Sequence, residues 1–259
     1  MLGTVILDAF SPDRASEMAT AIDDLCPPEG GGPFASSGIY AFWDPATKDL
    51  LYIGLARDLG IRFRQHTGLM SCAPEFCKVE QIAAYFAQPQ SSLLGYSMMP
   101  QSPLDQADCA RARTDLDGRA LDALKEFGEY GSDEIAQAEG QLIQAHLNRT
   151  GTLPPWNHIG GSLHGATAAT LDTEPMLDLL RARFRHALTA KPALRDLAAN
   201  PTAQRFENLL HVARFEMLMR NGAGSEELLR AEVQRLASGP DWMGADGFRE
   251  LLEAGYLDS

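Results

Sequence analysis

The chain is short of cysteine, of lysine and of net positive charge, and each shortage narrows what it can be. Four cysteines in 259 residues (Cys26, Cys72, Cys77 and Cys109) are too few and too scattered for a disulfide framework, so free thiols are expected. His66, Cys72 and Cys77 match no closed zinc spacing and bring no evident fourth ligand, so zinc is not expected. No run of about 18 apolar residues occurs, which gives no helical membrane span, and Met1 to Phe10 lacks the basic start of a secretion signal. A cytoplasmic location is the expectation. Lysine accounts for only four of the 22 cations, and the arginines that make up the rest offer a planar fork suited to phosphate and carboxylate. A GC-rich genome would produce the same bias. Against 35 acidic residues the net charge is −13, which weighs against a dedicated nucleic-acid binder, because phosphate neutralisation usually draws on a basic surface. The shortage is uneven, however. Residues 33–70 carry four Arg or Lys against three acids, while residues 1–32 carry one against six. Little long-range attraction to DNA follows, yet a local phosphate site is not excluded.

What is present reads as a globular protein: 45% of residues are apolar, enough for one large domain or for a catalytic module with an accessory region. Residues 1–32 open with a short strand signal at Thr4 to Leu7 and a helix signal from Ser11 to about Leu25, then break at Pro27, Pro28 and Gly30 to Gly32, which suggests an N-terminal arm or cap. Gly38 to Trp43 and Leu50 to Leu55, joined by turn chemistry at Asp44 to Asp49, predict a β-hairpin. Arg57 to Gly68 predicts a helix, and Val79 to Ala87 a third strand. Residues 88–131 look like an insertion, rich up to about residue 114 in Ser, Gln, Pro and Met. Helices are expected at Leu116 to Phe127 and Asp133 to Leu147, and a joint of small residues at Gly160 to Ala169. From residue 171 to 259 the chain is Leu, Ala, Arg and Glu rich, with amphipathic spacing over Met176 to Leu188, Ala203 to Arg220 and Ser225 to Leu236. The fold class expected is α/β of the α+β kind: residues 33–165 form a small three-stranded antiparallel sheet flanked by helices, followed by an all-helical region.

The hairpin and its helix carry the chemistry. Tyr40 and Tyr52 lie on neighbouring strands, while Arg62 and His66 stand four residues apart and leave one helix face together. Two tyrosines on a hairpin, or an Arg and a His one turn apart, need no functional explanation by themselves. The ordered set Gly38-Ile39-Tyr40, Tyr52-Ile53-Gly54, Arg62 eight residues beyond Gly54, and His66 four further on resembles the GIY-YIG nuclease superfamily. That resemblance covers residues 36–158. It implies a metal-binding glutamate on a later helix, where Glu139 precedes Gln141-Leu142-Ile143 and Glu134 is the fallback, and an asparagine after a Pro-containing turn, where Asn157 comes after Pro155-Trp156. The Glu139 to Asn157 segment is longer than in compact members of the family, and the insertion at 88–131 is atypical.

The resemblance implies a metal-dependent endonuclease that hydrolyses phosphodiester bonds in DNA. Glu139 would hold one Mg²⁺, with Mn²⁺ as a substitute, since a hard cation keeps several waters and takes one or two carboxylates. Arg62 would clamp a phosphate oxygen, Tyr52 would orient water or phosphate, and Asn157 would position phosphate or brace the site. Tyr40 is implied as the water-activating base, its pKa depressed by nearby positive charge; His66 taking or relaying the proton is the other route, and the choice stays open. Restriction or phage defence fits a nuclease without an attached zinc finger or helix-turn-helix. The alternatives are an inactive nucleic-acid-binding or scaffold protein, or a repair or toxin nuclease. The C-terminal helices, with Arg181, Arg183 and Arg185 as their basic cluster, suggest packing, a homodimer or a regulatory protein partner.

Overall fold

The computed structural model describes residues 2–103, 120–170, 173–181, 186–222, 224–239 and 244–258, with backbone alone for 120–133. Cys109, the 104–119 part of the expected insertion, and Arg183 and Arg185 lie outside the described residues. One antiparallel sheet of four strands, not the expected three, organises the rest: β1 (Ile6–Phe10), β2 (Gly38–Trp43), β3 (Leu50–Ala56) and β4 (Leu94–Pro100) in the order β1-β4-β2-β3.

β2 alternates Ile39, Ala41 and Trp43 on one face with Tyr40 and Phe42 on the other, and every residue of it is buried. Aromatic and β-branched side chains on both faces demand a layer on each side. On the Tyr40 face lie α1 (Ala15–Leu25), α2 (Leu59–Thr67) and α3 (Val79–Phe86), contributing Met18, Ile22, Phe63, Ile82 and Tyr85. On the Ile39 face lies α4 (Ala120–Thr150), with Ile135, Leu142 and Ile143. After α5 (Leu163–Ala168), α6 (Glu174–Leu179) and α7 (Leu194–Ala198) come the C-terminal helices α8 (Pro201–Asn221), α9 (Glu226–Ala237) and α10 (Ala245–Glu253). These last three join the Ile39-face core through Leu210, Met217, Val233 and Phe248. No described helix is long and apolar enough to cross a membrane.

Several sequence expectations are corrected. Val79 to Ala87 is not a strand: Val79, Ile82, Tyr85 and Phe86 have helical spacing, and Ile82 and Tyr85 turn inward together from α3. The missing strand is β4, inside the stretch expected to be a surface insertion. It pairs with both β1 and β2 and is buried along its whole length, so it shows no polar alternation, and its Gly, Ser and Met disguise it further. Its one buried hydroxyl from serine is satisfied, Ser97 Oγ donating to the Leu180 carbonyl at 2.7 Å. The two helices expected at Leu116 to Phe127 and Asp133 to Leu147 are, over the described residues, one helix of 31 residues running through Gly128 and Gly131. The joint expected at Gly160 to Ala169 contains α5, packed so closely on α4 that a Cβ on Gly140 would lie 2.4 Å from the Ser162 carbonyl oxygen. Of the expected helix Met176 to Leu188, the described residues show the short α6 ending at Leu179, with Ala187 and Leu188 buried outside any helix and 182–185 outside the described residues.

Residues 1–32, expected as an arm or cap, supply β1 to the sheet and α1 to its Tyr40-face layer. The same segment is joined to the C-terminal part by backbone, Val5 N–H donating to the Leu188 carbonyl and Ala190 N–H to the Val5 carbonyl, both at 2.8 Å. Beneath that seam Arg214 and Glu207 form a fully buried ion pair at 2.8 Å. Arg214 also donates to the carbonyls of Ala187 and Thr189 and to Thr4 Oγ1, while Glu207 accepts from the Lys191 N–H and the Tyr256 hydroxyl. Removing one partner would strand the other charge in the core. Arg214→Met is therefore expected to cost about 3–5 kcal/mol in urea unfolding, and Arg214→Met with Glu207→Leu to recover part of that loss.

Candidate active site

The site is built from the hairpin upward. Register places Tyr40 opposite Gly54 and Phe42 opposite Tyr52. The Tyr40 ring lies over Gly54, where a Cβ would come within 2.7 Å of the Tyr40 hydroxyl oxygen and 2.6 Å of a Tyr52 ring carbon. Only glycine leaves room for both tyrosines there. The Tyr40 and Tyr52 ring centroids stand 5.8 Å apart.

α2 begins where Asp58 caps it, its carboxylate accepting the Ile61 N–H at 2.8 Å, and stops at Gly68 in the left-handed region with φ 78°. Phe63 anchors the helix between Phe10 and Tyr96, at ring distances of 5.1 and 5.0 Å. Arg64 fixes its outer side, donating to both carboxylate oxygens of Asp23 in α1. Held this way, α2 directs Arg62 and His66 at the hairpin. His66 Nε2 lies 2.6 Å from the Tyr40 hydroxyl, and Arg62 Nε donates to that hydroxyl at 3.3 Å. Gln65 accepts from Arg62 Nη1 at 3.1 Å and steadies the guanidinium. Tyr40 and His66 are buried; Tyr52 and Arg62 are half-buried and lie toward the open side.

Electrostatics correct one expectation. The protein's own positive charge does not bring the Tyr40 pKa down: burial pushes it well above 10, Tyr52 adds to the rise, and Arg62 opposes it without prevailing. Tyr52 is raised too, mainly by burial. His66 is driven down to about 3, first by burial and then by Arg62 and Lys78, so it is uncharged and supplies no positive field. Arg62 can only donate, whereas neutral His66 and the Tyr52 hydroxyl oxygen can each accept the phenolic proton.

Glu139 approaches from α4, on the opposite layer. Burial lifts its pKa to about 7, opposed by the Leu55 N–H, which donates to the carboxylate, and by the charge of Arg62. Gly161 backs it closely, a Cβ there lying 3.3 Å from Oε2. Among the described residues no cation stands within ion-pair distance of Glu139. A part-buried carboxylate with incomplete compensation suits one hard divalent cation that keeps most of its own waters. No group of three His, Cys, Asp or Glu suited to a metal occurs among the described residues. Glu134 is exposed and accepts from Gln101 Nε2 at 2.7 Å, away from the tyrosines. Cys26, Cys72 and Cys77 are unpaired.

Asn157 spends both ends of its amide on the backbone of β3. Its Oδ1 accepts the Ile53 N–H at 3.0 Å and its Nδ2 donates to the Ile53 carbonyl at 2.8 Å, so it braces the outer edge of β3 between Tyr52 and Gly54. One residue absent from the sequence expectations joins the cluster: Lys78, whose ammonium sits 5.0 Å from the Tyr52 ring centroid. A lone lysine before a helix carries no sequence signal for such a place. Gln65 could have been found as an i, i+3 partner of Arg62.

The raised Glu139 pKa has a stability consequence. Ionising Glu139 costs more in the folded than in the unfolded chain, so its contribution is intact below the ordinary carboxyl value of 4.5 and is lost as pH rises through about 7. Glu139→Gln is expected to match the parent near pH 4. Near pH 8 it should be more stable by about 2 kcal/mol after allowance for solvent screening, read as a melting shift of several degrees.

Compared with known proteins, the chain matches no protein-family model, no curated protein and no solved structure.

Proposed function

We propose that the chain is a metal-dependent endonuclease of the GIY-YIG kind that hydrolyses phosphodiester bonds in DNA, with restriction or phage defence as its setting. The observation that carries this reading is the meeting of Tyr40, Tyr52, Arg62 and His66 on one sheet face, with Glu139 reaching the same place from the opposite layer. Five polar side chains from a hairpin and two helices would not be gathered in one place by packing alone, because each part-buried polar group costs free energy unless it is used.

In this reading Arg62 holds a non-bridging phosphate oxygen, its charge strengthened by partial burial and its aim set by Gln65 and Tyr40. Tyr52, the more open tyrosine, orients the attacking water or the phosphate. Tyr40 and His66 form a hydrogen-bonded pair below it: the Tyr40 hydroxyl oxygen takes the proton of the attacking water as its own proton moves toward His66 Nε2 across their 2.6 Å contact, a transfer that requires the negative charge of the bound phosphate to raise His66 from about 3. Glu139 would hold the divalent cation, which when bound supplies Lewis-acid stabilisation of the phosphate and the leaving oxygen. Asn157 keeps β3 in register and thereby Tyr52 in place.

Purified protein incubated with Mg²⁺ and supercoiled plasmid tests the reading: nicked or linear product is expected, and no cleavage of plasmid, phage or modified DNA would overturn it. Arg62→Ala and Glu139→Ala should each lower cleavage by about 10³-fold with the fold intact by circular dichroism. Tyr40→Phe keeps the ring packing, and a near-parental rate would remove Tyr40 from proton transfer. Because Glu139 must ionise to bind a cation, cleavage should rise with pH through about 7, and the midpoint should move to lower pH as Mg²⁺ is increased.

A further inference from the structure

Arginines in this protein are almost always given an acid. Every described arginine except Arg57 and Arg62 has a carboxylate within ion-pair distance, including such half-exposed surface residues as Arg14 with Glu17 and Arg230 with Asp258. With 35 acidic residues against 22 basic ones, carboxylates are plentiful. Against that background Lys78 stands out. Its residue is only 5% exposed, yet among the described residues no carboxylate lies within ion-pair distance of its ammonium, which sits 5.0 Å from the Tyr52 ring centroid with Arg62 and Cys77 also near enough to act on its charge.

Holding a lysine stem in a packed site without a counter-ion for its ammonium is costly, and an aromatic face returns only part of that cost, while the ammonium itself is not sealed from solvent and stays reachable. The lysine is held where the connection from α2 enters α3, so it reaches the tyrosines from an element other than the hairpin or α2. Its charge is felt at His66 together with that of Arg62, which places two acid-free cations around one aromatic cluster. Arg62 is accounted for by the scissile phosphate; Lys78 is not used by that reading. A compact ammonium with three donors, poised on a ring beside a guanidinium, is completed by a second anionic oxygen of the kind a polynucleotide backbone repeats.

Resting on the nuclease reading of this site, we infer that Lys78 is a second phosphate-contacting residue, meeting the phosphodiester backbone of the bound nucleic acid beside the phosphate held by Arg62. The ligand class is the anionic backbone, not a base, so the contact is independent of sequence. It also explains how a chain of net charge −13 grips DNA: two cations kept free of acids act at short range where a basic surface is lacking.

Lys78→Met preserves the stem that packs on Tyr52 and removes only the charge, and Lys78→Arg keeps the charge. Two readouts are taken on the full chain: plasmid nicking in Mg²⁺, and binding of a short fluorescent duplex in Ca²⁺ over a range of salt. The expected result is a loss of about 10- to 100-fold in kcat/KM for Lys78→Met, a salt slope of binding reduced by about one phosphate contact, and recovery of most of both in Lys78→Arg. Parental cleavage with an unchanged slope in Lys78→Met overturns the contact while leaving the nuclease reading in place. A lowered melting temperature with an unchanged slope also overturns it, because it assigns Lys78 to propping Tyr52. If the parent binds DNA but does not cut, a reduced slope still supports the contact although the hydrolytic reading fails. If the parent neither binds nor cuts, both are overturned.

Discussion

The central strand β2 must be covered on both faces, and most of the architecture derives from that constraint. Ile39, Ala41 and Trp43 need one apolar layer, and Tyr40 and Phe42 need another. Fully burying one such side chain contributes about 1.5–3 kcal/mol, so leaving either face open would forfeit a large part of a domain's net stability. The Tyr40 layer comes from α1 and from the short helices that come after the hairpin, and the Ile39 layer from α4 and the C-terminal helices. The same constraint makes the site. Tyr40 is buried because the sheet is closed over, and its hydroxyl is therefore obliged to find partners in Arg62 and His66.

Charge is organised by a second rule. The protein pairs its arginines with acids nearly everywhere, at the surface as in Arg205 with Glu250 and in the core as in Arg214 with Glu207. Surface pairs of this kind contribute little to stability, whereas the buried pair fixes how the first strand and the last helices meet. Arg62 and Lys78 stand outside this arrangement, both beside the same aromatic cluster. The low basic content of the chain is thus compatible with a local anion site, because charges act most strongly over a few ångströms where water is partly excluded.

The legibility of each part in the sequence tracks how local its determinants are. The hairpin, α2, and the grouping of Tyr40, Tyr52, Arg62 and His66 rest on a turn, a strand register and an i, i+4 spacing, all written within residues 38–66. Glu139 is singled out only through the resemblance, and the structure sets its carboxylate near enough to Arg62 and Tyr52 for their charges to interact. β4 and α3 are easily exchanged on sequence alone: a strand buried on both faces loses the alternation that marks strands, and a two-turn helix with four apolar residues resembles one. The Gly160 to Ala169 stretch reads as a joint because its glycines mark loops, yet Gly165 and Gly140 are there for a close helix crossing.

What the sequence by itself determined is the chemistry at hand: which side chains stand on the hairpin and its helix, and in what order, since neighbours along the chain settle it. Only the tertiary structure decided their state. Burial from elements distant in sequence holds Tyr40 and His66 neutral, spends the Asn157 amide on the β3 backbone, and brings Lys78 over the Tyr52 ring. Proton affinity and unpaired charge depend on everything packed around a group, and that surrounding exists only once the two layers have closed on the sheet.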